Sequence, residues 1–363
     1  MSRIGLLIAA LLLVPAVACS NGDPGTADVV NCPQPGPQFV INKVTLPKTK
    51  TDTAIDLNGD GRVDNQLGNI FSALSANGVD RQLAEDQAVE GGTATELLSI
   101  GAHDSSLQND DSVSTVVNKA AAPTAPHHSV NAGFSGAGAH APAQGQYDQG
   151  VGLPSSPVFD GTGHFTIDNG VGTALLCGKL SNGRFSSNNP VTTTHPVDMS
   201  IHLFGFPDVA ITLHGAHMTY RVVPAVPPIV DGQINGSLKQ SDLSHTVVPA
   251  IARDLNREVQ SARGGTPAQQ TRAQQIEAIF DVGDGAKGGP CTDPDYSPGQ
   301  EGDAAKDGVI SSCEVATNSL IKNVLAPDVQ IFDSSGNYHP NAANTDKDSL
   351  SIGVGFTAVP ANY

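Results

Sequence analysis

Tryptophan is absent from this 363-residue chain, and only 4% of its residues are aromatic. Sugar-binding clefts need large flat apolar faces against the pyranose ring, so this shortage argues against a carbohydrate-active enzyme or lectin. Bases are scarce as well: 19 Lys and Arg stand against 36 Asp and Glu, a formal net charge of −17. A surface of that sign repels phosphate backbones and anionic lipid faces, which excludes nucleic acid as a partner. After the N-terminal apolar stretch no second long apolar run occurs, so no bilayer-spanning helix is expected in the body. The sequence also has no Gly-x-Ser-x-Gly, no His-Glu-x-x-His and no phosphate-cradling Gly loop with Lys. No catalytic constellation is therefore recognised.

The apolar run from Ile4 to Val14 follows Arg3 and ends in Ala16, Val17 and Ala18. That is the anatomy of a secretory signal peptide over 1–18, too short for a membrane span. Cys19 follows at once, with Ser20 behind it. The run Ala16-Val17-Ala18-Cys19 resembles the lipid-attachment box of bacterial lipoproteins, although Ala16 stands where most carry Leu. The resemblance implies an exported protein held at the cell envelope by a lipid on Cys19, or else secreted, with a flexible tether over 19–38. Four cysteines then remain, Cys32, Cys177, Cys291 and Cys313, an even number suited to an oxidising compartment. Three pairings are possible. Cys291 with Cys313 is favoured because it closes a Pro/Gly-rich segment onto an acidic loop, at about 3 kcal/mol by loop-closure arithmetic; Cys32 would then pair with Cys177.

Two acidic loops are spaced for a hard cation. The first runs Asp56, Asn58, Asp60, Gly61, Arg62, Val63, Asp64, and the second Asp303, Asp307, Gly308, Val309, Ile310, Ser311, Glu314. Calcium collects six to eight oxygens from alternate loop positions, turns at a glycine in sixth place and takes a backbone carbonyl at the seventh. Side-chain oxygens from Asp56, Asn58, Asp60 and Asp64, with the Arg62 carbonyl, fit the first loop. Asp303, Asp307, Ser311 and Glu314, with the Val309 carbonyl, fit the second. Each loop lacks one ligand. Leu67 occupies the twelfth position of the first, leaving Gln66 or water to substitute, and Ala305 the third position of the second. Both loops should therefore be weak, near the roughly 10⁻⁴ to 10⁻³ M of extracellular modules.

These residues resemble the EF-hand and dockerin-type calcium loops over about a dozen residues at each site. Apolar residues at helical spacing follow each loop: Leu67, Ile70, Phe71 and Leu74, then Val315, Leu320, Ile321, Val324 and Leu325. No entering helix precedes either, which favours the dockerin-like half-motif. Dockerin copies lie nearly adjacent, whereas these lie near opposite ends of the chain, so the dockerin's partner is not implied.

Between the loops the periodicity is that of strands. Short runs at Phe39 to Leu46, Glu96 to Ile100, Gly163 to Ile167, Ala174 to Leu180 and Ser200 to Phe206 are bounded by turn residues. Alternation continues through Val209 to Val222, Ile229 to Leu238 and Leu350 to Phe356. A mainly β protein is expected, an antiparallel β-sandwich-like body with a few packed helices. Ser241 is the expected N-cap of a helix bearing Leu243, Val247, Val248, Ile251 and Leu255, kinked or restarted at Pro249, and a second helix is expected from Pro267 to Phe280. The expected organisation is a β-rich body over 39–265, holding the first calcium loop (56–67) and a long loop over 120–157. A helix, calcium loop (303–314) and helix follow over 266–330, and C-terminal strands over 331–363 complete the body. His214 and His217, three apart on a strand, suit solvation or hydrogen bonding better than one metal.

The reading is an exported, calcium-binding protein with a structural, adhesive or partner-recognition role and an unnamed protein or polysaccharide partner. The alternative is a carbohydrate-active enzyme or carbohydrate-binding protein of the cell envelope, since acids for glycoside hydrolysis are abundant.

Overall fold

The computed structural model describes residues 19–20, 29–30, 36–76, 81–121, 159–168, 173–193, 196–203, 206–225, 228–282, 308–341, 343 and 346–363. Most of the expected long loop, residues 303–307 of the second calcium loop, Cys32 and Cys291 lie outside these residues, and of Cys19 only the backbone is described. Cys177 and Cys313 are both disulfide-bonded.

The body is mainly antiparallel β. In chain order the strands are β1 (Gln38–Thr45), β2 (Glu96–Gly101), β3 (Asp110–Lys119), β4 (Ala174–Ser181), β5 (Arg184–Ser187), β6 (Met199–Leu203), β7 (Phe206–Val222), β8 (Ile229–Lys239) and β9 (Ser349–Pro360). They form one sheet in the order β8-β9-β1-β2-β3-β4-β5-β7-β6, and β7 also pairs with β8. That last pairing closes the sheet. Arg221 faces Arg184 of β5 on one side and Val230 of β8 on the other, so one stretch of β7 is hydrogen-bonded along both edges. The facing layers expected of a sandwich are thus opposite walls of a single closed sheet, with β6 as a flap on the first half of β7.

Eight strands around a ring leave an interior just wide enough for side chains. Phe39, Ile41, Leu98, Ile100, Leu176, Phe185, Met218, Tyr220, Ile234, Ile352 and Val354 fill it. Phe185 stacks on Tyr220 at 4.7 Å, and the Tyr220 hydroxyl hydrogen-bonds Thr115 Oγ1 at 2.9 Å. Alternate residues Val40, Leu97 and Val359 point outward and are covered by Phe159, Phe165, Ile167 and Tyr363. The expected strand at Gly163 to Ile167 is only a pair of isolated bridges serving that cover.

Among the described residues, six helices of six residues or more pack on the barrel: α1 (Gln66–Ala76), α2 (Arg81–Glu90), α3 (Val248–Ala262), α4 (Pro267–Phe280), α5 (Ser312–Thr317) and α6 (Ser319–Val324). Leu243, Val247, Val248, Ile251 and Leu255 are buried in the same core as the barrel interior. Ser241 caps nothing, because helical backbone already starts at Gln240 and passes through a π-turn, Leu243–Val247, before Pro249 opens α3. Thr266 caps α4 with a full capping box through Gln269. The single helix expected from Val315 to Leu325 is two, broken where Asn318 leaves helical backbone and donates to the Ile279 carbonyl.

Helix α2 was not legible in the sequence, because its buried face carries Arg81 and Glu85 beside Ala88 and Val89. Those charges are paired. Arg81 meets Asp254 of α3 at 2.5 Å. Glu85 meets His202 Nε2 at 2.8 Å, and His202 Nδ1 meets Glu96 of β2 at 3.2 Å, all three residues being buried.

Candidate metal centre

The first acidic loop folds around the carboxylate at its head. Asp56 Oδ1 accepts the amides of Gly59 and Asp60 at 2.7 and 3.1 Å, and Oδ2 accepts that of Gly61 at 2.8 Å. Asp60 Oδ1 accepts the Arg62 amide at 2.8 Å. Gly61 has φ +80, a left-handed turn that costs other L-residues energy, which is why glycine belongs there. The turn brings ligand oxygens of Asp56, Asp60 and Asp64 within 4.8 Å of one another.

The loop is mounted on the barrel by its apolar and amide side chains. Leu57 is fully buried against Val329 and Ile331. Asn65 is spent on β9. Strand β1 ends at Thr45 opposite Gly355, leaving the edge of β9 open beyond that point, and in an antiparallel strand a residue's N–H and C=O face the same edge. Asn65 fills this place for Gly353: Nδ2 donates to its carbonyl at 2.9 Å and Oδ1 accepts its amide at 3.1 Å. Gly353 must be glycine, since a Cβ there would lie 2.2 Å from the Thr53 carbonyl. Two residues along the same edge, the Ser351 amide donates to Asp328 Oδ1 at 2.8 Å and the Ser351 hydroxyl to Oδ2, while Ser351 Oγ accepts the Gln66 amide at 2.7 Å.

Gln66, the expected substitute for the missing twelfth ligand, is engaged by other partners. Its Nε2 donates to the Val324 carbonyl at 3.0 Å and its Oε1 accepts from Asn69 at 2.6 Å. Leu67 is in the core. Asp328 is the acid that sequence reasoning missed, for it lies outside both spaced motifs.

Burial, followed by the charges of Asp328, Asp60 and Asp56, pushes Asp64 up to about 7, against the opposing hydrogen bond from the Leu57 amide. Burial also raises Asp328 above the usual carboxylate range. Carboxylates crowded in this way favour either a proton or a cation among them. The donors suit a hard cation, being carboxylate, amide and carbonyl oxygens with no sulfur or imidazole. Asn58 adds a further sign of fit. It is 2% exposed, its Nδ2 has no partner, and its Oδ1 accepts an Asp60 amide that Asp56 already satisfies. Turning the side-chain amide over would put its oxygen where the unpartnered Nδ2 now stands.

The second loop is described from Gly308 onward. Gly308 has φ +82, and its amide donates to buried Asp281 at 2.8 Å. Asn256 of α3 brackets Ile310, accepting its amide at 2.8 Å and donating to its carbonyl at 2.7 Å. Ser311 and Glu314 form the capping box of α5, with Glu314 Oε2 on the Ser311 amide at 2.9 Å and Ser311 Oγ on the Glu314 amide at 3.1 Å. Glu314 is fully buried, and Val309 is exposed. Asp303 and Asp307 lie outside the described residues.

The two histidines serve separate places. His214 meets Asp198 at 2.9 Å near the surface, while His217 is buried. Comparison of the chain with protein-family models, with curated proteins and with solved structures finds no match.

Proposed function

We propose that this is an exported calcium-binding protein of the bacterial envelope whose first acidic loop fastens the barrel's helical layer, in a structural, adhesive or partner-recognition role. The observation that carries the calcium reading is the convergence of Asp56, Asp60 and Asp64 within 4.8 Å, in a loop of oxygen donors only. Val309, Ser311 and Glu314, with Asp303 and Asp307, would serve the second loop.

Calcium is expected to raise the melting temperature by several degrees, since binding to the native state alone contributes about 2.7 kcal/mol at a hundredfold excess over the dissociation constant. Asp60→Ala should remove the first loop's share, and Asp60→Ala with Asp307→Ala the whole shift. Equal melting in millimolar calcium and in chelator would refute the reading. The first loop should also bind more weakly at pH 6 than at pH 8, with a proton released at the lower pH, because Asp64 titrates near 7 and calcium needs it ionised. Without calcium the sign reverses: the raised acid stabilises the fold below its unfolded pKa, and that contribution fades as pH climbs through about 7.

Export and lipidation rest on Ala16-Val17-Ala18-Cys19. Cys19→Ser should move the protein from the membrane fraction to the soluble one. An unmodified Cys19 by mass spectrometry of the native protein would remove the lipid and leave secretion.

A further inference from the structure

We infer that Asp328, far along the chain from the spaced loop and absent from its pattern, is the outer carboxylate of the first calcium site and supplies the negative charge that Leu67 withholds. This rests on the calcium reading of that loop.

Three observations bring Asp328 to the site. Ser351 links it to the loop's end, accepting the Gln66 amide at 2.7 Å while its own amide and hydroxyl donate to Asp328. The next residue, Val329, is fully buried against Leu57 in the loop's second position. Asp328 and Asp64 also repel each other as like charges. The loop holds an independent sign of a ligand in Asn58, 2% exposed with an unpartnered Nδ2.

Both Asp328 oxygens are engaged by Ser351, so the acid acts through its charge and its hold on the loop's frame rather than as an additional direct ligand. Such outer partners commonly change metal affinity ten- to a hundredfold. The bland role is to satisfy the Ser351 edge of β9, and an asparagine can keep that role: its Oδ1 accepts the Ser351 amide and its Nδ2 donates to Ser351 Oγ.

The test is calcium titration by calorimetry at pH 8 in an Asp307→Ala background, comparing Asp328 with Asp328→Asn. Asp111→Asn serves as the control, because Asp111 is 97% exposed and its loss changes net charge equally. Asp328→Asn should weaken calcium by about ten- to a hundredfold while leaving the melting temperature in chelator unchanged or higher, since a like charge beside Asp64 is gone. If the variant melts lower, affinity is compared at a temperature where circular dichroism shows both proteins fully folded. Affinity within twofold of the parent, or an equal loss in Asp111→Asn, overturns the role of Asp328 and leaves the calcium reading standing. No calcium binding by the parent overturns both.

Discussion

His202→Ala should cost about 3–5 kcal/mol of folding stability at neutral pH, the usual penalty for removing one partner from a buried ionic cluster. The substitution leaves Glu85 and Glu96 buried without the cation between them. Glu96 Oε2 has no hydrogen-bond partner among the described residues even in the intact protein. Burial alone would lower the His202 pKa, but the hydrogen bonds and charges of Glu85 and Glu96 outweigh it and raise the group to about 9. Its stabilising contribution is therefore fully present below the unfolded histidine pKa and is lost as pH rises through about 9. Urea denaturation at pH 7 and pH 10 measures both effects. A loss under about 1 kcal/mol at pH 7, or the same pH dependence in His202→Ala as in the parent, would show that the imidazole does not carry the charge assigned to it. The Arg81 to Asp254 pair one turn earlier on α2 is partly exposed and is expected to matter less.

Asn65→Ala should be the next most damaging change. It leaves both the amide and the carbonyl of Gly353 without the side chain that replaces a neighbouring strand. At about 1–3 kcal/mol for each buried group left unpaired, the loss should reach at least about 2 kcal/mol. Hydrogen exchange at the Gly353 amide should accelerate in step. Because Asn65 follows the proposed ligand Asp64 directly, calcium affinity should fall as well. Full stability with unchanged exchange would mean that water or a shifted β1 takes over the bonds.

Much of the fold could be read locally. The strands at Ile229 to Leu238 and Leu350 to Phe356 were marked by alternation, that at Ala174 to Leu180 by the turn residues around it, and α4 by its leading Pro and apolar spacing. Strand β3 escaped because its first residues are Asp110, Asp111 and Ser112, and its register with β4 shifts between Asp110 and Val113. Helix α2 escaped because apolar periodicity is blind to a buried face made of charges. In the candidate site the spacing of Asp56, Asn58, Asp60 and Asp64 was visible because a loop that wraps one ion takes its ligands from alternate nearby residues.

By itself, the sequence determined a mainly antiparallel β protein, its turn glycines, and a loop whose acids converge when Gly61 takes positive φ. Each of these depends on neighbours a few residues apart, where backbone sterics and side-chain alternation act. Only the tertiary structure decided that the sheet closes through β7 and β8, that Asn65 completes the open edge of β9, and that Asp328 shares the field of Asp64. Closure depends on one strand finding partners along both edges, and the Asn65 contact joins residues 288 apart in sequence. Coulomb repulsion and edge pairing depend on distance in space, and no local pattern encodes which distant acid or amide folding will bring there.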